Sequence, residues 1–144
     1  YGDWIDYAHS RPARRTLIQP GLKYNLGRHL MLHYNHTYTS LDVEGGELFS
    51  VHAPEARVVY QFNTRAYVRA VLQYTDIQRN VSLYDDEVEP RTKDLFSQLL
   101  FTYKVNPQTA VYVGYSDARE GTEEYEMSTA SRSLFVKLGY AWVR

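Results

Sequence analysis

Apolar and polar residues alternate at a period of two in segments of about ten residues, broken by turn residues, along most of the chain. Successive side chains of an extended strand point to opposite sides, so each such segment has one apolar and one mixed or polar face. A helix would need apolar residues three and four apart, and that spacing is nowhere sustained. In the last segment Leu134, Val136, Leu138, Tyr140 and Trp142 share one parity, and Phe135, Lys137, Gly139, Ala141 and Val143 the other. Leu99, Phe101 and Tyr103 alternate with Gln98, Leu100, Thr102 and Lys104 in the same way. Further upstream, Ala66, Val68, Ala70, Leu72 and Tyr74 oppose Tyr67, Arg69, Val71, Gln73 and Thr75, and Leu30 to Thr39 repeats the pattern. The chain is therefore expected to be all-β and antiparallel.

Turn chemistry sorts the connections into two kinds. Gly27-Arg28, Asn63-Thr64 and Asn106-Pro107 suit tight hairpins. Between them, longer polar connections are expected at Glu44-Gly45-Gly46-Glu47, across Arg79 to Arg91 and across Asp117 to Ser131. Short turns at one end and long loops at the other is the pattern of an up-and-down transmembrane β-barrel, with short turns in the periplasm and long loops outside. Strands of about ten residues, rising roughly 3.3 Å each and tilted near 40°, would cross an apolar band about 25 Å tall. Pro20 and Pro54 interrupt two of these strands, since proline lacks the N–H a ladder uses; a bulge or an extramembrane rim would accommodate them. The first strand, roughly residues 1–10, is the weakest, because Trp4 and Asp6 share a parity.

Tyrosine sharpens the expectation. Fourteen tyrosines are many for this length, and a ring with a polar tip favours membrane–water boundaries. Tyr24, Tyr60, Phe62, Tyr103 and Trp142 fall near the short-turn end, and Tyr38, Tyr74 and Tyr115 toward the long-loop end, all on the parity assigned to lipid. These eight are the expected aromatic girdles. A soluble sandwich or lipocalin-like module would also alternate, but has no reason to place tyrosines at both edges. Mean hydropathy of -0.50 excludes a bundle of apolar helices; it does not argue against strands that alternate between lipid and lumen.

The ending Ser133 to Arg144 resembles the C-terminal signal by which outer-membrane proteins are recognised by the barrel-assembly machinery. Lys137, Gly139 and Trp142 fit that signal, while Arg144 stands where an aromatic residue is usual. More particularly, Asp94-Leu95-Phe96-Ser97-Gln98-Leu99-Leu100-Phe101-Thr102-Tyr103-Lys104-Val105-Asn106-Pro107-Gln108-Thr109, with Tyr112-Val113-Gly114-Tyr115-Ser116-Asp117 and Arg132 to Lys137, resembles a stretch of one bacterial family. In that family a domain similar to family-9 carbohydrate-binding modules precedes an outer-membrane barrel. The resemblance covers residues 64–144 most clearly. It implies a Gram-negative outer-membrane location and a carbohydrate-binding domain that precedes these residues, so that any sugar binding belongs mainly to that domain.

The opening Tyr1-Gly2-Asp3-Trp4-Ile5-Asp6-Tyr7 begins in mid-pattern, so residues 1–144 are expected to be the C-terminal portion of a larger barrel, here about eight strands. On the parity assigned to the lumen sit Lys23, Arg57, Arg69, Lys104 and Lys137, against Glu55 and Asp94. This basic face either pairs with acids on other strands or a plug, or lines a pore that favours anions, since charge in a narrow pore biases ion entry. The net charge of -1 argues against a nucleic-acid partner.

No cofactor, metal site or catalytic set is expected. Without cysteine there is no thiolate ligand or nucleophile. Asp85, Asp86, Glu87, Glu89, Glu120, Glu123, Glu124 and Glu126 would suit calcium by ligand type, but their spacing is that of solvated loops. His29, His33 and His36 are three or four residues apart, and His33 and His36 should lie on opposite faces of a strand. A barrel-wall hydrolase using Ser97 or Ser116 with His33 is the alternative class; no nucleophile motif supports it. The expected function is that of an outer-membrane channel or uptake component, or of a membrane anchor for the carbohydrate-binding domain, with outer-membrane lipid as the main partner.

Overall fold

The computed structural model describes residues 2–6, 11–84, 87–122 and 126–141. The strands are β1 (Gly2–Asp6), β2 (Arg11–Ile18), β3 (Gly21–Leu26), β4 (Leu30–Val43), β5 (Gly46–Gln61), β6 (Ala66–Arg79), β7 (Arg91–Asn106), β8 (Thr109–Thr122) and β9 (Ser128–Tyr140). They form one antiparallel sheet. β2 and β3 lie end to end along β4, so the sheet is eight strands wide in the order β1, β2 with β3, β4, β5, β6, β7, β8, β9. Sequence neighbours pair throughout, as in an up-and-down meander. Among the described residues one edge of the sheet is β9 and the other is formed by β1 and, along the short-turn half, by β3, with no ladder from β9 to either.

The break between β2 and β3 falls at Gln19 and Pro20, where the ring removes a donor. Pro20 still contributes its carbonyl, which accepts from the His36 N–H at 2.9 Å. Pro54 lies inside β5, opposite the same His36, and needs neither bulge nor rim. Pairing to β6 lapses at Ala53 and Pro54 and resumes in the same register at Glu55. The missing N–H thus costs a local gap in the ladder without shifting any side chain to the other face.

Three tight turns stand where turn residues were read. Gly27 takes φ 63° between β3 and β4, a left-handed conformation that suits glycine. Asn63 accepts through Oδ1 from the N–H groups of Arg65 and Ala66 at 2.8 and 2.9 Å, and Asn106 does so from Gln108 at 2.9 Å. Such Asx closures are why asparagine marks turns.

At the opposite end the connection from Arg79 to Arg91 is long, as expected, and the other two differ. Glu44 and Gly45 alone join β4 to β5, with Gly45 at φ 114°, so this connection is a tight hairpin rather than a long loop. The expected loop from Asp117 to Ser131 is largely strand, since β8 runs to Thr122 and β9 starts at Ser128. β4 to β9 span 13 to 16 residues instead of about ten. The ladder is made of backbone groups, and it continues past the point where alternating hydrophobicity fades.

The buried apolar residues are few. Ala13, Leu41 and Leu48 form one cluster near the long-loop end, with Val43, Phe49, Leu83 and Tyr84 packed against it. Leu48 occupies the bulge where Leu41 pairs with Phe49 and Asp42 with Glu47. A 3-10 turn at Val81–Leu83, capped by the Asn80 side chain, brings Leu83 over this cluster. The Asn80 N–H donates to the Leu48 carbonyl at 3.0 Å.

Candidate functional site

Residues directly opposite on neighbouring strands point to the same side, so the register divides the side chains into two faces. On one, Tyr24, Leu32, Val58, Ala70, Leu99, Tyr115 and Leu134 form an unbroken row from β3 to β9. The adjacent row toward the short turns is Leu26, Leu30, Tyr60, Val68, Phe101, Val113 and Val136. Both rows are wholly apolar or aromatic across seven strands. They are also exposed: Leu99 has 50% of its surface open and Leu134 75%. The described residues place no second layer over them.

This tyrosine face carries Tyr24, Tyr38, Tyr60, Tyr74, Tyr103 and Tyr115. Phe62, in the turn after β5, stacks edge-on against Tyr60 with centroids 5.0 Å apart and lies 6.5 Å from Phe101. Trp142 lies outside the described residues, so of the proposed assembly signal only Lys137 and Gly139 are placed, both on β9.

The other face holds Lys23, Arg57, Arg69, Lys104 and Lys137. One row runs Lys23, His33, Arg57, Val71, Gln98, Ser116, Ser133; the next, toward the short turns, contains Arg69; the next ends in Lys137; the last contains Lys104. Acids lie in the opposite direction. Glu55 is one row toward the long-loop end from Arg57, and Asp94 is one row further, opposite Glu120. Glu120 was read as part of an acidic loop; it is instead a β8 residue on this face. Glu55, Asp94 and Glu120 thus lie toward the long loops from these five cations, and the same face carries two more cations at its long-loop end, Arg15 on β2 and Arg79 on β6. Arg57 pairs with Glu55 at 3.2 Å; Lys23, Arg69, Lys104 and Lys137 have no ion-pair partner among the described residues. The Nε atoms of Arg57 and Arg69 are buried without a hydrogen-bond partner. A groove of about 400 Å³, lined by Gln19, Asn35, Thr37, Ala53, Glu55 and Gln73, opens beside the carboxylate.

The histidines separate as strand geometry requires. His33 is on the basic face, while His36 is on the tyrosine face, opposite Pro54. His29, in the turn, has Nδ1 2.6 Å from the Gln61 carbonyl. The neighbour His36 does acquire was not legible: His52, on β5, has Nδ1 3.4 Å from His36 Nε2. No group of three or more potential metal ligands exists among the described residues; Asp85, Asp86, Glu123 and Glu124 lie outside them. Ser97 is on the face opposite to His33, and Ser116 is four strands from it in the same row. Neither hydroxyl is hydrogen-bonded to an imidazole; Ser97 Oγ is 3.5 Å from the Asp117 carbonyl oxygen.

A set of charges on the tyrosine face was missed altogether. Arg91 grips Asp76 through two bonds, Nε to Oδ1 at 2.9 Å and Nη2 to Oδ2 at 2.5 Å. Asp117 is shared by Arg119 at 3.1 Å and Arg132 at 3.6 Å. Both carboxylates are buried although they stand on the exposed side of the sheet. Asp117 and Arg119 are two residues apart on one strand and share a face by parity alone; the cross-strand register that brings Arg91 to Asp76 and Arg132 to Asp117 was not visible in sequence.

Compared with protein-family models, curated proteins and solved structures, the chain matches none.

Proposed function

We propose that this chain is part of the wall of an outer-membrane β-barrel whose tyrosine face meets lipid and whose basic face lines an aqueous lumen that favours anionic solutes. The observation that carries the reading is the pair of unbroken apolar rows from β3 to β9. An exposed apolar surface of that extent is unfavourable in water and marks a contact with lipid or protein. A sandwich would cover it with a second sheet, and the described residues form one sheet only. Antiparallel meanders that satisfy every backbone group by closing on themselves are the β-structures that span membranes. The edges, β9 on one side and β1 with β3 on the other, would then pair with each other or with further strands.

The anionic preference rests on Lys23, Arg69, Lys104 and Lys137, cations of the basic face without an ion-pair partner among the described residues. Conductance of the full-length protein in planar bilayers tests it: a pore favouring chloride over potassium is the expected result, and cation selectivity or no conductance refutes the channel. The resemblance over residues 64–144 supports a second role, anchoring a carbohydrate-binding domain that precedes the barrel. Sugar binding by a protein carrying that domain, and none by residues 1–144, is the expected result for it.

A further inference from the structure

On the tyrosine face, β6 to β9 all change from apolar to charged within one or two alternate positions going toward the long-loop end. On β6 Tyr74 is followed by Asp76; on β7 Leu95 by Lys93 and Arg91; on β8 Tyr115 by Asp117 and Arg119; on β9 Leu134 by Arg132. Each alternate step is about 6.6 Å along a strand. The result is a charged rim directly above the apolar rows. It is not neutral. Four cations, Arg91, Lys93, Arg119 and Arg132, stand against two carboxylates, Asp76 and Asp117. Arg91 is committed to Asp76, which Lys93 also opposes across the ladder, and Arg119 and Arg132 share Asp117, so among the described residues of this rim about one charge is left over on β8 and β9 and another on β7.

Immediately below the rim the face is indented. The small side chains of Ala56 and Ala70 leave an apolar groove of about 370 Å³ walled by Val58, Leu72, Leu99 and Tyr115. Ser97 stands at its rim end, opposite Asp117. The trough thus ends at Ser97 in the row that holds Asp117 and Arg132, with Arg119 one alternate step and Lys93 two alternate steps further toward the long loops on the same surface.

We propose that the groove and rim together seat one phosphorylated lipid from the leaflet at the long-loop end, with an acyl chain along Ala56 and Ala70 and its phosphate on Lys93, Arg119 and Arg132. The chemistry of both halves is complementary to such a molecule. An apolar trough alone would take any acyl chain, and a free anion would have no use for the trough. Guanidinium groups present paired donors that match phosphate oxygens. This inference rests on the membrane reading above.

The test reconstitutes the full chain in phosphatidylcholine bilayers and measures, with spin-labelled lipids, the relative association of phosphatidic acid and phosphatidylcholine. About a fivefold preference for phosphatidic acid is expected, the scale of one cation at a lipid surface. The double variant Lys93→Gln with Arg132→Gln keeps the Asp76–Arg91 and Asp117–Arg119 pairs and should bring the ratio near one. Ala70→Leu, which fills the groove, should weaken association of both lipids at this position. Lys23→Gln with Lys104→Gln removes the same charge from the opposite face and should leave the ratio unchanged. Equal association of both lipids in the unmodified protein, or an equal loss in the Lys23/Lys104 control, overturns the lipid seat while leaving the membrane reading intact. Displacement of phosphatidic acid by inorganic phosphate at similar concentration assigns the rim to free anions and also overturns it. Failure to insert into any bilayer overturns the membrane reading and this inference with it.

Discussion

The ring of Phe135 on β9 lies over Gly114 on β8, its directly opposed partner, so closely that a Cβ on Gly114 would fall 2.2 Å from Phe135 Cζ. An aromatic ring covering a cross-strand glycine shields the ladder at the place where the glycine offers no side chain. Gly114→Val should therefore destabilise by about 1–3 kcal/mol, the range for overpacking. Because Phe135 is on the edge strand and 40% exposed, its ring can also be removed. The double variant Gly114→Val with Phe135→Ala should lose less than the sum of the two single changes, a non-additivity expected of residues in contact. Denaturant unfolding of the four proteins measures it; strict additivity would mean that the ring and the glycine do not share a site.

Asp76 is 7% exposed on a face that is otherwise apolar or open, and Arg91 is what compensates it. Removing the cation strands a desolvated carboxylate, which costs more than removing both charges together. Arg91→Gln alone should reduce stability by about 1–3 kcal/mol, and Arg91→Gln with Asp76→Asn should recover part of the loss. Unfolding midpoints at neutral pH give the comparison, and a double variant no better than the single would assign Arg91 a packing role instead.

Leu48, at 3% exposed, is the most buried apolar residue of the small cluster beneath the 3-10 turn. Leu48→Ala should cost about 2–5 kcal/mol and should release residues 81–83, since Leu83 loses its packing partner. Limited proteolysis should then cut near Val81–Leu83 faster than in the unmodified protein, with cleavage at the tight turns near Gly27 and Asn106 unchanged.

Much of this architecture was legible because strand parity is local. Lys137 and Leu138 declare opposite faces by adjacency, and Asn63 and Gly27 declare their turns by side-chain chemistry. What escaped was whatever depends on which strand lies beside which, and at what register. Asp76 and Arg91 are 15 residues apart, and His36 and His52 are 16 apart; neither spacing is a motif, and only the hairpin register brings them together. Strand ends escaped for another reason. From Asp117 to Thr122 the side chains are polar or small, so hydrophobic alternation was silent there while backbone pairing continued to Thr92↔Thr122. Glu120 was consequently read as a loop acid.

Gln98 and Leu99 are neighbours in sequence on β7 and face opposite ways, which makes them a matched pair for the lipid assignment. In water, Leu99→Arg would be nearly neutral, because the side chain is half-exposed and arginine is tolerated on a solvated sheet. Against hydrocarbon, an arginine near the bilayer midplane of a barrel costs about 2–4 kcal/mol, falling toward zero at the interfaces. The Leu99 row lies between Tyr103 on the short-turn side and Leu95 on the charged side of the same strand, and so is placed near the middle of the band. Leu99→Arg should therefore lower the stability of the bilayer-folded protein by about 2–4 kcal/mol, whereas Gln98→Arg, in the same row as Arg57 on the basic face, should change it by less than about 1 kcal/mol. The same two variants compared in detergent should differ less than in bilayers. Equal tolerance of both substitutions in bilayers would place both faces in water and refute the assignment of the tyrosine face to lipid.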